Sequence, residues 1–225
     1  MTKTDPSVAK KRILIVDDHA LVREGMQRIL EVEPDLKVAG TASSTSEALS
    51  LVESVNPDIV VSDLTLPDQS GLELIKNLRV LHPKLPVLVV SMHDENVYAE
   101  RVLSAGGRGY LMKDSAVENI AAAIRTVLAG GVYVSPATTA RFLETMTGNS
   151  EERYSLPLQR LSDREIEVFD LIGHGKNSHE IADQLRIATR TVDTHRRHIR
   201  EKLRLSDSSA VLAYAIKWIE SGKAL

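Results

Sequence analysis

Cysteine is absent from all 225 residues. Disulfides, thiol nucleophiles and cysteine-ligated zinc are therefore excluded. The absence fits a reducing cytoplasm, where the chain is expected to reside. Long apolar runs are missing too. None approaches the roughly 20 residues that a membrane-spanning helix needs. The first apolar run, Ile13 to Val16, is cut at once by Asp17 and Asp18, so it does not read as a signal peptide. The polar residues 1–10 read as a short disordered tail. There is no internal repeat. A strong net charge is also lacking, since 28 Lys+Arg against 31 Asp+Glu leave −3.

That near-neutrality hides an asymmetry. Residues 159–225 hold 12 basic and 10 acidic side chains, and residues 1–158 hold 16 and 21. An acidic front and a basic rear predict two domains with different partners. The expected division is a first domain over 11–131, a linker over 132–158 and a second domain over 159–225.

Apolar runs and helical patterns alternate through the first domain. The runs are Ile13 to Val16, Leu36 to Ala42, Ile59 to Val61, Pro86 to Met92 and Arg108 to Lys113. Between them lie amphipathic stretches. One has Leu21, Val22, Met26, Ile29 and Leu30 on a single face. Another has Ala48, Leu49, Leu51, Val52 and Val55, with Ser44 or Thr45 as its cap. Gly71 to Leu81, Glu95 to Ala105 and Ala116 to Ala129 read as further helices. Five strands, each followed by a helix, predict an α/β doubly wound parallel sheet.

The polar residues cluster at the strand ends. The first strand ends in Asp17-Asp18, the third in Asp63, the fourth near Ser91 and the fifth at Lys113. Open α/β sheets bind ligands at that edge. Taken alone, an Asp closing a strand is more often a turn residue. Three crowded carboxylates, however, stay ionised together only beside a cation. An all-oxygen donor set selects a hard divalent ion, Mg²⁺ by abundance. A hydroxyl and a lysine nearby make a pocket for a phosphoryl group, with Asp63 as the nucleophile.

This set resembles the receiver domain of bacterial two-component response regulators, a flavodoxin-like fold. That family shows paired acids, then Asp-x-x-x-Pro-x-x-x-Gly, a Ser/Thr, an aromatic and a Lys. Here these are Asp17-Asp18, Asp63 with Pro67 and Gly71, Ser91, Tyr110 and Lys113. The resemblance implies that Asp63 takes phosphate from a histidine kinase. It implies Mg²⁺ on Asp18, Asp63 and the Thr65 carbonyl, with Asp17 reaching it through water. Ser91 and Lys113 would bind phosphoryl oxygens, and Tyr110 would repack as Ser91 moves. Leu66 stands where Met is common, and Asp114 where many receivers have Pro.

Past Gly130-Gly131, residues 137–146 suit a short helix and 147–153 a polar linker. The second domain opens on Ser162, with Glu165 three residues on, a capping box. Its helix buries Ile166, Val168, Phe169 and Ile172. A short helix capped by Asn177 or Ser178 follows, then the turn Arg186-Ile187-Ala188. A long helix starts at Thr189 or Thr191, and a last one carries Ala210, Val211, Tyr214 and Trp218. This is a small all-α four-helix domain with a helix-turn-helix over about 178–197. Residues 186–204 hold seven basic and two acidic side chains, beside His195 and His198. Val192, Ile199 and Leu203 should face inward, with His195 or Arg196 bordering them. A charged helix face is usually just solvated; on the second helix of this motif it suits the DNA major groove.

The segments Leu161-Ser162-x-Arg164-Glu165, Glu180-Ile181-Ala182-x-x-Leu185, Thr191-Val192-x-x-His195 and Lys202-Leu203 resemble the LuxR-type DNA-binding domain. A receiver joined to this domain resembles the NarL/FixJ response regulators, from Lys11 to the end of the chain. The expected DNA-binding residues are Lys176, Arg190, Thr191, Asp193, Thr194, His195, Arg197, Arg200 and Arg204. Asp193, His198 and His179 depart from common residues at their positions. Asp193 has two open roles: pairing with Arg190 or Arg197, or accepting from cytosine N4. The resemblance also implies a homodimer on DNA through the last helix, with the receiver masking the DNA-binding domain beforehand. The reading is a phosphorylation-switched transcriptional regulator rather than an enzyme. Its rivals are a relay protein that only passes phosphate on and a constitutive DNA-binding protein with a vestigial receiver.

Overall fold

A computed structural model of the chain describes residues 9–146 and 157–220. Residues 1–8 of the expected tail and the polar stretch 147–153 lie outside them. The chain divides into two compact units, Met1–Ser135 and Pro136–Leu225.

The first unit holds a sheet of strands β1 (Lys11–Val16), β2 (Leu36–Ala42), β3 (Ile59–Ser62), β4 (Val87–Ser91) and β5 (Gly109–Met112). Their order is β2-β1-β3-β4-β5, and every pairing is parallel. Helices α1 (Ala20–Glu31), α2 (Thr45–Val55), α3 (Gly71–Leu81), α4 (Glu95–Ala105) and α5 (Ala116–Leu128) alternate with the strands. Strands β3 and β4 are buried at every position, as parallel strands covered on both faces must be. Ile13, Ile15, Ile59, Val61, Leu88 and Val90 pack with Leu30, Ile120 and Ile124 into one core.

Three boundaries differ from the sequence reading. Lys113 leaves β5 and opens a short 3₁₀ turn, Lys113–Ser115, which turns its side chain back over the sheet edge. Leu21, assigned to the buried face of α1, is 81% exposed. Met26 and Leu30 carry that face, with Val22 and Ile29 packed partly against the core. Leu21 lies about 100° round the helix from Val22 and farther still from Met26 and Leu30, so it falls off their shared face. Finally, the stretch after α5 is tied down. Tyr110 N–H donates to Tyr133 O at 2.7 Å and Tyr133 N–H to Arg108 O at 3.1 Å, so Tyr133 extends the β5 edge. Gly109 permits this approach, because an added Cβ would lie 2.8 Å from Tyr133 O.

The second unit begins with α6 (Pro136–Met146). After the undescribed stretch come α7 (Asp163–Gly173), α8 (Ser178–Leu185), α9 (Thr189–Lys202) and α10 (Ser208–Glu220). The expected capping box of Ser162 with Glu165 forms; Asn177, one of the two cap candidates for α8, makes a second box with Glu180. Helix α8 ends in Arg186 at φ 52, closed by Ile187 N–H to Ala182 O at 3.0 Å. This is the turn of the helix-turn-helix, and α9 follows it directly. Ile166, Phe169, Ile181, Val192, Ile199, Ala215 and Trp218 are almost fully buried and make the core. Phe169 meets Trp218 and Tyr214 at ring distances of 5.5 and 5.9 Å.

Candidate functional site

Strand register builds the first site. Val16 pairs with Ser62, Ser62 with Val89, and Ser91 with Met112. The next residues of β1 and β3, Asp17 and Asp63, therefore emerge side by side at the C-terminal edge. Each is held by a backbone bond: Asp17 N–H to Ala42 O at 3.1 Å and Asp63 N–H to Val16 O at 2.8 Å. Asp17 is fully buried and Asp63 is 4% exposed. Two carboxylates at that depth require a counter-charge. Lys113 supplies it: its Nζ lies 2.6 Å from Asp17 Oδ2 and 2.7 Å from Asp63 Oδ2. Burial alone would lower the lysine's pKa, but the Asp63 and Asp17 carboxylates hold it above the ordinary value.

Asp18 points outward and pairs with His19 Nδ1 at 2.6 Å. Asp17, Asp18 and His19 offer ligand atoms within 4.8 Å of one another. On the other flank Ser91 is buried, and its hydroxyl accepts the His93 N–H at 3.4 Å. Tyr110 is completely buried and donates its hydroxyl to the His93 carbonyl at 2.7 Å. That burial pushes the Tyr110 pKa well up, so the ring stays a neutral donor. His93 Nε2 lies 2.9 Å from the Thr65 hydroxyl, bridging the loops after β4 and β3.

The loop after β3 is folded tightly on itself. Leu64 N–H donates to Asp63 Oδ1 at 2.6 Å, and Gly71 N–H to Leu64 O at 2.7 Å. A Cβ on Gly71 would come within 2.2 Å of the Asp63 carbonyl oxygen, so only glycine fits. Asp17, Asp18, Asp63, Ser91, Tyr110 and Lys113 thus gather at one edge, as the strand ends predicted. His19, His93 and Asp68 join the site without a motif position that marks them. A polar residue two positions after a site residue was the available signal for His93.

In the second unit, α9 presents a basic face. Arg190, Thr191, Asp193, Arg197 and Arg204 are exposed, Thr194 and Arg200 are half-buried, and Lys176 is exposed in the turn before α8. Thr194 spends its hydroxyl on the Arg190 carbonyl at 3.0 Å. His195 is half-buried and borders the core, as one of the two residues expected there. Its Nδ1 is buried without a hydrogen-bond partner, and burial lowers its pKa. Asp193 pairs with neither Arg190 nor Arg197 among the described residues; Arg197 Nη1 lies 3.8 Å from Glu201 instead. That pair is one helical turn on, at the spacing where exposed side chains meet.

Helix α9 is fixed from behind by a buried acid. Glu165 on α7 is 3% exposed and lies 2.6 Å from Lys202 Nζ and 3.6 Å from His198 Nδ1. Burial opposes its ionisation, but Lys202 and the Ser162 cap keep its pKa lowered. Val211 and Trp218, on the expected apolar face of α10, are 2% and 1% exposed within their own domain. Trp218 and the half-buried Tyr214 pack on Phe169 of α7, and Leu212 is left exposed.

A buried acid–lysine cluster at the edge of a doubly wound sheet, followed by a basic helix-turn-helix on the same chain, defines a signal-receiving DNA-binding regulator. Comparison with known proteins makes the class specific. Residues 13–125 match the response regulator receiver domain, and residues 159–215 match the bacterial regulatory proteins of the luxR family. The transcriptional regulatory protein DegU of Brevibacillus brevis is 33% identical over 94% of this chain and 96% of its own. The oxygen regulatory protein NreC of Staphylococcus carnosus is 34% identical over 92% and 97%. The fold of the RcsB response regulator of Salmonella typhimurium matches with a TM-score of 0.73 at 23% identity, over 97% of this chain and 100% of that one. The chain belongs to the NarL/FixJ family of two-component response regulators, a receiver joined to a LuxR-type DNA-binding domain. No helix among the described residues is long and apolar enough to cross a membrane.

Proposed function

We propose that the chain is a transcriptional regulator whose DNA binding is switched by phosphorylation of Asp63. The observation that carries this is the pair of contacts from Lys113 to Asp17 and Asp63. A cation is already clasped where added negative charge must be balanced. An Asp63 carboxylate oxygen attacks the phosphorus of a phosphohistidine on a histidine kinase. The phosphorus–nitrogen bond breaks, the imidazole leaves, and an acyl phosphate remains on Asp63. Lys113 and the Ser91 hydroxyl take phosphoryl oxygens. Drawing Ser91 toward the phosphate pulls on the His93 loop, whose carbonyl the Tyr110 hydroxyl holds.

The donor set fits a hard divalent ion. Asp18, Asp63 and the Thr65 carbonyl would hold Mg²⁺, with Asp17 reaching it through water. When bound, the ion screens the charge between Asp63 and the incoming phosphoryl group. In the second domain Arg190, Thr191, Asp193, Thr194, Arg197, Arg200 and Arg204 face the DNA, with Lys176 on the backbone. The regulator acts on DNA as a homodimer, and the exposed Leu212 and half-buried Tyr214 are what α10 offers a second protomer.

The experiment is intact mass after incubation with a small phosphodonor and Mg²⁺. Wild type gains one phosphate and Asp63→Asn gains none. Equal adducts on both place the phosphate elsewhere. No adduct on either favours a constitutive DNA-binding protein.

A further inference from the structure

The loop from Asp63 to Gly71 carries Thr65, and its two ends are pinned to the sheet edge. Its middle is pinned by a residue that does no chemistry there. Asp68 reaches across to α2 and accepts the N–H of Thr45 at 2.9 Å and of Ser46 at 2.8 Å. The Ser46 hydroxyl adds a bond of 2.8 Å, and the Gln69 N–H one of 3.0 Å. Thr45, itself 1% exposed, donates its hydroxyl back to the Gln69 carbonyl at 3.4 Å. Helix α2 thus has two caps. Ser44 covers Glu47 N–H from within the helix, at 3.2 Å. Asp68 covers the two preceding N–H groups from 22 and 23 residues away. A carboxylate on a helix N-terminus is also favoured by the helix dipole. Burial works against the charge, but the donors from Ser46, Thr45 and Gln69 bring the Asp68 pKa down to about 2.

We propose that Asp68 is a positioning residue for the metal site: by capping α2 from the β3–α3 loop, it fixes the backbone that presents the Thr65 carbonyl. The inference rests on the reading of Asp63 and Thr65 as metal ligands. Without Asp68, residues 66–70 keep only the long Thr45–Gln69 bond to α2, and the Thr65 carbonyl is left to it, to the loop ends and to the His93 contact. The loop then pays the ordering cost on binding the ion, and affinity falls.

A cap lost from α2 would destabilise the domain in any case, so the test needs a matched control. Ser44→Ala removes the other cap of the same helix and leaves the β3–α3 loop untouched. Mg²⁺ is titrated calorimetrically into full-length wild type, Asp68→Ala, Asp68→Asn and Ser44→Ala, and thermal midpoints are recorded for all four. Supporting-shell losses of this kind weaken metal binding by about tenfold, which is expected for Asp68→Ala, with Ser44→Ala staying within about twofold of wild type. Asp68→Asn falls between, because its amide oxygen still accepts one backbone N–H, and it carries the comparison if the alanine variant does not fold. Wild-type affinity in both Asp68 variants overturns the proposal. So does a Ser44→Ala loss as large as theirs. If wild type itself does not bind Mg²⁺, the metal-site reading fails, and this inference with it.

Discussion

Lys113 offers the sharpest test of the acid cluster. Asp17 and Asp63 have side chains 0% and 5% exposed, and the Lys113 ammonium sits within 2.7 Å of both. Lys113→Met keeps the length of the side chain and removes only the charge. Breaking a buried ion pair from one side costs about 3–5 kcal/mol, because the remaining charge stays buried and unpaired. The Lys113 side chain is 12% exposed, and the cluster opens to water past Asp18, so the lower end, about 3 kcal/mol, is expected. Mg²⁺ should then substitute for the ammonium. A ligand at a hundred times its Kd contributes about 2.7 kcal/mol, nearly the whole deficit. Native-state hydrogen exchange of the β1 and β3 amides measures this within the first domain alone, in EDTA and in excess Mg²⁺. The variant should lose about 3 kcal/mol in EDTA and recover most of it with the ion. A loss below about 0.5 kcal/mol, or one that Mg²⁺ leaves unchanged, would show that Lys113 does not neutralise the cluster.

Three further outcomes follow from the geometry. Gly71→Ala places a methyl 2.2 Å from Asp63 O, and it should destabilise the receiver by about 1–3 kcal/mol and lower the phosphate adduct on Asp63, read by melting and intact mass. Glu165→Gln should cost the second domain about 1 kcal/mol, discounted because Lys202 is 41% exposed. As the Glu165 pKa is depressed, its contribution is present above the ordinary glutamate value and is lost as pH falls through the depressed one; Trp218 fluorescence melts should show this, and the variant should lack the step. Arg197→Ala should cost about 1–3 kcal/mol on the specific site and far less on random duplex, and equal losses in binding titrations on both would make Arg197 a phosphate contact alone.

Local pattern determined much of this protein. Apolar runs closed by acids placed Asp17, Asp18 and Asp63 at strand ends, because a parallel strand's burial is written in consecutive residues. The capping box at Ser162 was equally plain, since cap and partner lie three residues apart, whereas Asn177 was only one of two candidate caps. An apolar residue beside a buried stripe need not belong to it. Leu21 lies about 100° round the helix from Val22, away from Met26 and Leu30, and is exposed. The α10 stripe was legible as apolar, but not that Trp218 would pack on Phe169 of α7. The pairs that hold the two sites are of another kind. Lys113 meets Asp63 across 50 residues, Lys202 meets Glu165 across 37, His93 meets Thr65 across 28 and Asp68 reaches Thr45 across 23. Which side chains meet over such separations depends on crossover order, strand register and the turn at Lys113. No spacing within a single element encodes those, and the tertiary structure alone decided them.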